Sequence, residues 1–394
     1  MRRSIFTSES VTEGHPDKVA DRISDAVLDA MLERDPFSRV ACEALVTDGV
    51  AIVAGEITSE AKVDVEEITR ASIRASGYDD ASLGFSGDDV RVDVLVHKQS
   101  PDIAEGVGTS LEARSGSTDP LDALGAGDQG IMFGFAVDET PELMPMPIQL
   151  SHQLAAQLAT VRRDASVAYL RPDGKTQVTV SYQGHRPIRV ARILMSVQHD
   201  PSASNEQMAT DLMQQVVKPI ADPFLDPDTE FVVNPSGRFE LGGPVADTGL
   251  TGRKIVMDTY GGTARHGGGA FSGKDPTKVD RSASYAARHV AKTVVAAGLA
   301  RRCEIQVSYA IGRASPFSVH IETFGTESVD PDKLEGLLMD FFDLRPAAII
   351  EWLDLRRPIY VATSNYGHFG RTEDSFTWES TARAGELARA AADL

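Results

Sequence analysis

Asp17-Lys18-Val19-Ala20-Asp21-Arg22-Ile23-Ser24-Asp25-Ala26-Val27-Leu28-Asp29-Ala30-Met31-Leu32-Glu33-Arg34 is followed, after a short gap, by Val40–Val46, Thr47-Asp48-Gly49 and Val50–Ile57. In the first segment Val19, Ile23, Val27 and Met31 recur at helical spacing with Ala20, Leu28 and Leu32 beside them, which predicts one apolar helix face. The next two runs are rich in β-branched residues and are split by a turn signal, so they predict a hairpin. A shorter amphipathic helix through Val65, Ile68, Ala71 and Ile73 and an alternating strand, Val90–Val96, complete the unit.

The order helix, hairpin, helix, strand returns along the chain. Ile148–Arg162 predicts a helix, Gln177–Tyr182 and Ile188–Gln198 a strand pair, Asn205–Val217 a helix and Glu230–Val233 a strand. Lys278–Ala297 leads a third copy, with Cys303–Ile311, Ser318–Phe324 and a helix over Pro331–Phe342. The lead helices are spaced by roughly 130 residues, which indicates three structural repeats packed helix on sheet. Strands and helices without β-α-β alternation favour α+β over a doubly wound sheet.

The 394 residues carry 39 Lys+Arg against 58 Asp+Glu, a formal charge of −19. That balance argues against a protein that holds nucleic acid by neutralising phosphates over a broad surface, but not against a local basic pocket. No run of apolar residues is long enough to span a membrane, and the opening Met1-Arg2-Arg3-Ser4-Ile5-Phe6 lacks the apolar region of a secretory signal. Cys42 and Cys303 sit in strand-like apolar runs. Two thiols build neither a zinc site nor a disulfide framework, so they predict packing cysteines in a reducing cytoplasm.

Two stretches fit no regular element. Gln99–Gly127 is rich in glycine and serine, and its length predicts a movable loop over a site. Asn234–Gly273 mixes glycines with Arg238, Arg253, Lys254, Arg265 and His266, the composition of an anion site. It runs into Gly267-Gly268-Gly269-Ala270-Phe271-Ser272-Gly273-Lys274-Asp275, which matches the front of a phosphate-binding loop but has Asp275 where a P-loop needs Ser or Thr for magnesium. A P-loop NTPase is therefore disfavoured, while glycines before Lys274 and Lys278 at a helix start still suit a phosphate. Gly14-His15-Pro16-Asp17-Lys18 opens the first helix. Capping explains Pro16 and Asp17; it does not explain His15 and Lys18 beside the carboxylate. Asp280 opens the third lead helix as Asp17 opens the first, and two such carboxylates could share magnesium on a nucleotide. Gly125-Ala126-Gly127-Asp128-Gln129-Gly130 reads equally as a tight turn. Glu43 and Glu56, on apolar strands, either face solvent or bind a cation or an amino group.

Taken in order, the motifs at 14–18, 125–130 and 267–275 resemble the S-adenosylmethionine synthetase (methionine adenosyltransferase) family, over about Ser4 to Arg383. The resemblance implies a fold of three similar α+β domains about a pseudo-threefold axis, here 4–101, 124–241 and 243–383, with 99–127 as the mobile active-site loop. It implies condensation of ATP with L-methionine and release of phosphate and diphosphate, by a cytoplasmic homodimer or homotetramer with shared active sites. By motif, His15, Lys18, Arg253 and Lys274 would be catalytic. ATP would lie among His15, Asp173, Lys175, Arg238, Phe239, Asp247, Arg253, Lys254, Ala270 and Lys274. Methionine would meet Glu56, Gln99, Asp128, Asp247 and Lys278. Asp17 and Asp280 would hold Mg²⁺, two ions per site, and Glu43 would hold K⁺. Two departures stand out: an apparent extension, Gly108–Ser117, within the loop, and Gly174 between Asp173 and Lys175. A kinase-type phosphotransferase and a silent nucleotide-binding subunit are the rival readings. The first lacks a kinase catalytic-loop signature, and the second is disfavoured because the charged set is present.

Overall fold

A computed structural model describes residues 3–99 and 109–392. The first helix, α1 (Pro16–Arg34), starts where Pro16 supplies a preset φ and the His15 side chain caps the Asp17 N–H. Its apolar stripe, Val19, Ile23, Val27 and Met31, is buried. The hairpin β2 (Arg39–Thr47) and β3 (Val50–Thr58) turns at Asp48-Gly49, where Gly49 takes a φ of 67° that favours glycine. Val40, Cys42, Ala44 and Val46 of β2 point into the core and the alternate residues point away. Helix α2 (Val65–Ala75) and β4 (Arg91–His97) complete the unit, with β4 parallel to β3.

The second unit consists of α3 (Met146–Arg163), β6 (Leu170–Gln183), β7 (Arg186–His199), α4 (Asn205–Leu212) and β8 (Glu230–Val233). The third consists of α5 (Val279–Ala296), β10 (Arg302–Tyr309), β11 (Ser318–Glu322) and α6 (Pro331–Phe341). The helix expected over Asn205–Val217 is regular only to Leu212, then widens over Met213–Val217 and resumes over Lys218–Ala221. Pro219 has no N–H for the Gln215 carbonyl, and the Gln157 side chain donates to that carbonyl instead, at 3.0 Å.

Three more strands turn these units into one object. β1 (Arg3–Val11) precedes α1 yet pairs with β6 of the second unit, from Arg3 opposite Gln183 to Val11 opposite Lys175. β5 (Gly130–Val137) precedes α3 yet pairs with β10 of the third. β9 (Gly249–Leu250), upstream of α5, pairs with β2 of the first. The sheets are therefore β4-β3-β2-β9, β8-β7-β6-β1 and β11-β10-β5, with matching orientation in the shared positions. Each unit lends the strand before its lead helix to the next unit in a closed cycle. This is a three-domain α+β fold. The first and third units share a continuous core, whereas the second has its own around Leu154, Val178, Ile193 and Leu212.

Part of the 99–127 segment lies outside the described residues, at 100–108. The part that follows is tied down. Leu111 N–H donates to the Gly312 carbonyl at 2.7 Å, and the Glu112 carboxylate takes the Ala314 N–H at 2.9 Å. Arg345 bonds Asp119 and Asp122 at 2.8 and 2.7 Å. Residues 109–127 are thus fastened to the third unit in this conformation.

Candidate active site

The predicted site residues fall into two groups, one at each of two helix starts. The first forms where β1 turns into α1. Thr12 fastens this turn to β6 through its N–H to the Gly174 carbonyl and its hydroxyl to the Pro172 carbonyl, at 2.9 and 2.7 Å. A Cβ on Gly14 would lie 2.4 Å from Pro172, so only glycine permits this approach. His15 Nδ1 accepts the Asp17 N–H at 3.2 Å, which leaves the ring proton on Nε2. Burial, reinforced by Lys254, drives the His15 pKa down to about 3, so the ring is a neutral donor.

Asp17 accepts the Leu250 N–H at 3.0 Å and pairs with Lys254, while Arg253 Nε lies 3.6 Å away. Burial raises the Asp17 carboxyl, but Lys254 and the Leu250 N–H together outweigh it and hold it below its ordinary range. Asp173 receives the Gly243 N–H at 2.9 Å through one oxygen, and its other oxygen is buried without a partner. Burial pushes its pKa up to about 6. Lys175 lies close enough to act on the charge of both His15 and Asp173. The Phe239 backbone is clamped by His199, with its N–H 3.2 Å from Nε2 and its carbonyl 3.0 Å from the His199 N–H. Arg238 and Asp247 are exposed at the rim.

The second group sits at the start of α5. Lys274 pairs with Asp280 at 2.6 Å, and Lys278 pairs with the buried Asp275. Asp275 also takes the Val40 N–H at 2.7 Å and so straps the glycine-rich loop to the stretch of β2 that β9 leaves unpaired. That is the use of the residue that breaks the P-loop pattern. A Cβ on Gly269 would lie 2.2 Å from Asp280, and one on Gly267 would lie 1.7 Å from the Ile131 carbonyl, so these glycines seat the loop between β5 and α5. Glu43 and Glu56 share the exposed face of β2 and β3, opposite Ala54 and Ala41, and Ala41 also bridges to Lys274. Gln99 follows β4, and Asp128 is exposed just ahead of β5. Ala270 lies against Gly252, where the loop leaves the first group.

The motif expects Lys18 among the catalytic groups. It is fully buried, with Asp21 at 2.8 Å and Asp258 at 2.6 Å, and it presents no donor to the cleft. Its ammonium is thus held inside the protein by two carboxylates.

Sequence reasoning also missed an acidic ladder. Asp17, Asp21, Asp25 and Asp29 recur every fourth residue and therefore lie on one helix face. Each accepts a backbone N–H from the chain between residues 250 and 361: Leu250, Gly252, Gly273, and Tyr360 with Val361. Arg281 of α5 adds a buried ion pair to Asp25 at 2.7 Å. The four-residue period was the available signal, and apolar-period reading passes over it.

The two groups do not meet within the chain. Among the described residues no hydrogen bond or ion pair joins His15, Asp17 or Lys254 to Lys274, Asp280 or Glu43. Asp17 and Asp25, which contact the respective regions, are separated by about 12 Å of helix rise. Among those residues, too, no cluster of three or more His, Cys, Asp or Glu is arranged to cage an ion. Single carboxylates beside lysines suit magnesium that arrives on phosphates and takes only one or two protein oxygens. No described helix is long and apolar enough to cross a membrane.

Comparisons with known proteins show the family. Models of the N-terminal, central and C-terminal domains of S-adenosylmethionine synthetase match residues 3–101, 123–239 and 241–380. An S-adenosylmethionine synthase of Desulforudis audaxviator (strain MP104C) is 57% identical over 388 residues, 98% of either chain. With three consecutive domain matches and that identity over almost its whole length, the chain belongs to the S-adenosylmethionine synthetase family.

Proposed function

We propose that the protein joins L-methionine to ATP by attack of the methionine sulfur on C5′, then hydrolyses the released tripolyphosphate to phosphate and diphosphate. The observation that carries this reading is the paired device at the two helix starts. Each has a first-turn aspartate in contact with a lysine from a glycine-bearing segment, Asp17 with Lys254 and Asp280 with Lys274. Such a pair opens toward a phosphate–metal ligand, the lysine meeting phosphate and the aspartate the cation. The reaction suits the inventory. A thioether has no proton to lose, so attack needs no general base. Both thiols are buried and pushed up to about 12 by burial, which makes them poor nucleophiles.

His15, a neutral Nε2–H donor at the positive end of α1, is placed to stabilise charge developing on the leaving oxygen. Arg253, Lys254, Lys175 and Lys274 hold the phosphate chain. Phe239 offers a ring to adenine, and the unpartnered Asp173 oxygen offers an acceptor to the nucleoside. Glu56, Gln99, Asp128, Asp247 and Lys278 are assigned to methionine. Asp17 and Asp280 would hold magnesium and Glu43 potassium; when bound, the metals neutralise the triphosphate and orient it for displacement.

Because the two groups stand apart in one chain, a second copy completes the site. The exposed face of β2, β3 and β4 carries Leu45, Ile52, Ala54 and Leu95 alongside Glu43 and Glu56. Two-fold pairing through it would bury that apolar surface and bring His15 of one chain to Lys274 of the other. Incubation with ATP, Mg²⁺, K⁺ and methionine, followed by mass spectrometry, tests the function. A sulfonium product with intact triphosphate release is expected, and γ-phosphoryl transfer to an acceptor would overturn the reading.

A further inference from the structure

Asp258 belongs to none of the sequence motifs, yet it is buried at the end of a helical turn, Ile255–Asp258, that follows directly on Arg253 and Lys254. Its N–H closes that turn on the Lys254 carbonyl at 2.8 Å, and its own carbonyl accepts the His368 N–H at 2.9 Å. Its carboxylate is 2.6 Å from Lys18 Nζ. Two ion pairs thus cross between the start of α1 and this turn, and their polarity alternates. Asp17 faces Lys254 and Lys18 faces Asp258. One pair is open, with the Lys254 side chain 20% exposed; the other is sealed, with Lys18 at 0%.

The difference has a mechanical consequence. For Lys254 to meet a phosphate and Asp17 a cation, the open pair must part. If it were the only tie, ligand binding would also release the 253–258 turn from α1. The sealed pair removes that coupling. It lies in a low-dielectric interior, where an ion pair is little screened and where breaking it leaves a charge unpaired. Asp21 takes a second Lys18 proton at 2.8 Å and the Gly252 N–H at 2.9 Å, which fixes the chain on the other side of Arg253 as well. Arg253 and Lys254 are therefore bracketed by Gly252 and Asp258, both held to α1 through charges that no ligand reaches.

We infer that Asp258, acting through Lys18, is a positioning residue that keeps Arg253 and Lys254 in register with His15 while the Asp17–Lys254 pair opens to admit the phosphate chain. The inference rests on the proposed function. Asp258→Asn in the full oligomeric protein tests it, since the amide keeps the shape and leaves Lys18 paired one-to-one with Asp21. The expected result is a loss of about 10²-fold in kcat for sulfonium formation, the scale of a small misplacement of catalytic groups. KM for methionine should stay within twofold and melting should change little. Calorimetric binding of tripolyphosphate, an activity-free readout of the same register, should weaken as well. Lys18→Met with Asp21→Asn and Asp258→Leu removes the three buried charges together and leaves none unpaired, while the Asn oxygen still accepts the Gly252 N–H. It should recover any stability lost by the single variant but not kcat, whereas a merely structural pair would recover both. A kcat within twofold of the parent, recovery of kcat with stability, or absence of folded oligomer from either variant would overturn the assignment. A parent protein that makes no sulfonium while Asp258→Asn still weakens tripolyphosphate binding would refute the function and leave the positioning role standing.

Discussion

The starts of α1 and α3 occupy equivalent places in the fold and could hardly differ more. At α1 the turn carries His15, Asp17 and Lys18, all buried, with both charged side chains paired. At α3 the capping position is Pro145, with no side-chain cap, and the first turn has no acid. The Glu139 carboxylate stands in by taking the Met146 N–H at 2.9 Å. The start of α5 resembles α1, with Asp280 in the first turn and a lysine on it. Repetition supplied three positive helix ends, and charged side chains were built on two. The repeat supplies the places where a site can lie, and the side chains distinguish two of them.

The contrast predicts where substitutions hurt. The largest effect is expected on the tie between the two charged helices. Arg281→Leu leaves Asp25 buried without its cation and should cost about 3–5 kcal/mol, read as thermal melting. Next, His15→Ala should lower the rate of sulfonium formation by ~10²–10³ while binding of an ATP analogue is largely kept; an unchanged turnover would remove His15 from the chemistry. Mixing that variant with Lys274→Ala under subunit exchange should restore part of the activity if the two residues serve one site from opposite chains. No recovery despite proven exchange would argue for a site within one chain.

A smaller effect concerns pH. His152 of α3 is fully buried, and burial brings its pKa to about 3. The unfolded chain therefore takes a proton from about pH 6.5 downward that the folded chain refuses, so the stability it contributes is present above pH 6.5 and lost as pH falls. Asp29, raised to about 7 by burial, acts in the opposite sense, because the folded chain keeps its proton as pH rises. Comparing the parent with His152→Gln isolates the histidine. The parent's stability relative to the variant should decline by about 2 kcal/mol between pH 7 and pH 5, and a pH-independent difference would contradict its buried neutral state. The smallest effect belongs to the uncharged start. Glu139→Gln weakens the stand-in cap and should cost about 1 kcal/mol with turnover within twofold.

The sequence alone determined the three helix-on-sheet units, the positions of their lead helices and turns, and the motifs that identify the family. These are local properties: apolar period, turn residues and helix-start chemistry are written in neighbouring residues. Tertiary structure decided the rest. Nothing in the alternation of Arg3–Val11 says that it pairs with β6, since a strand's period states which face is apolar and not which edge it joins. Nor does the spelling of Asp17-Lys18 say that one charge meets a partly exposed partner while the other meets a sealed one. A step of 100° around a helix separates them, and only the chain packed against each side, Lys254 on one and Asp258 on the other, leaves the first pair partly open and seals the second.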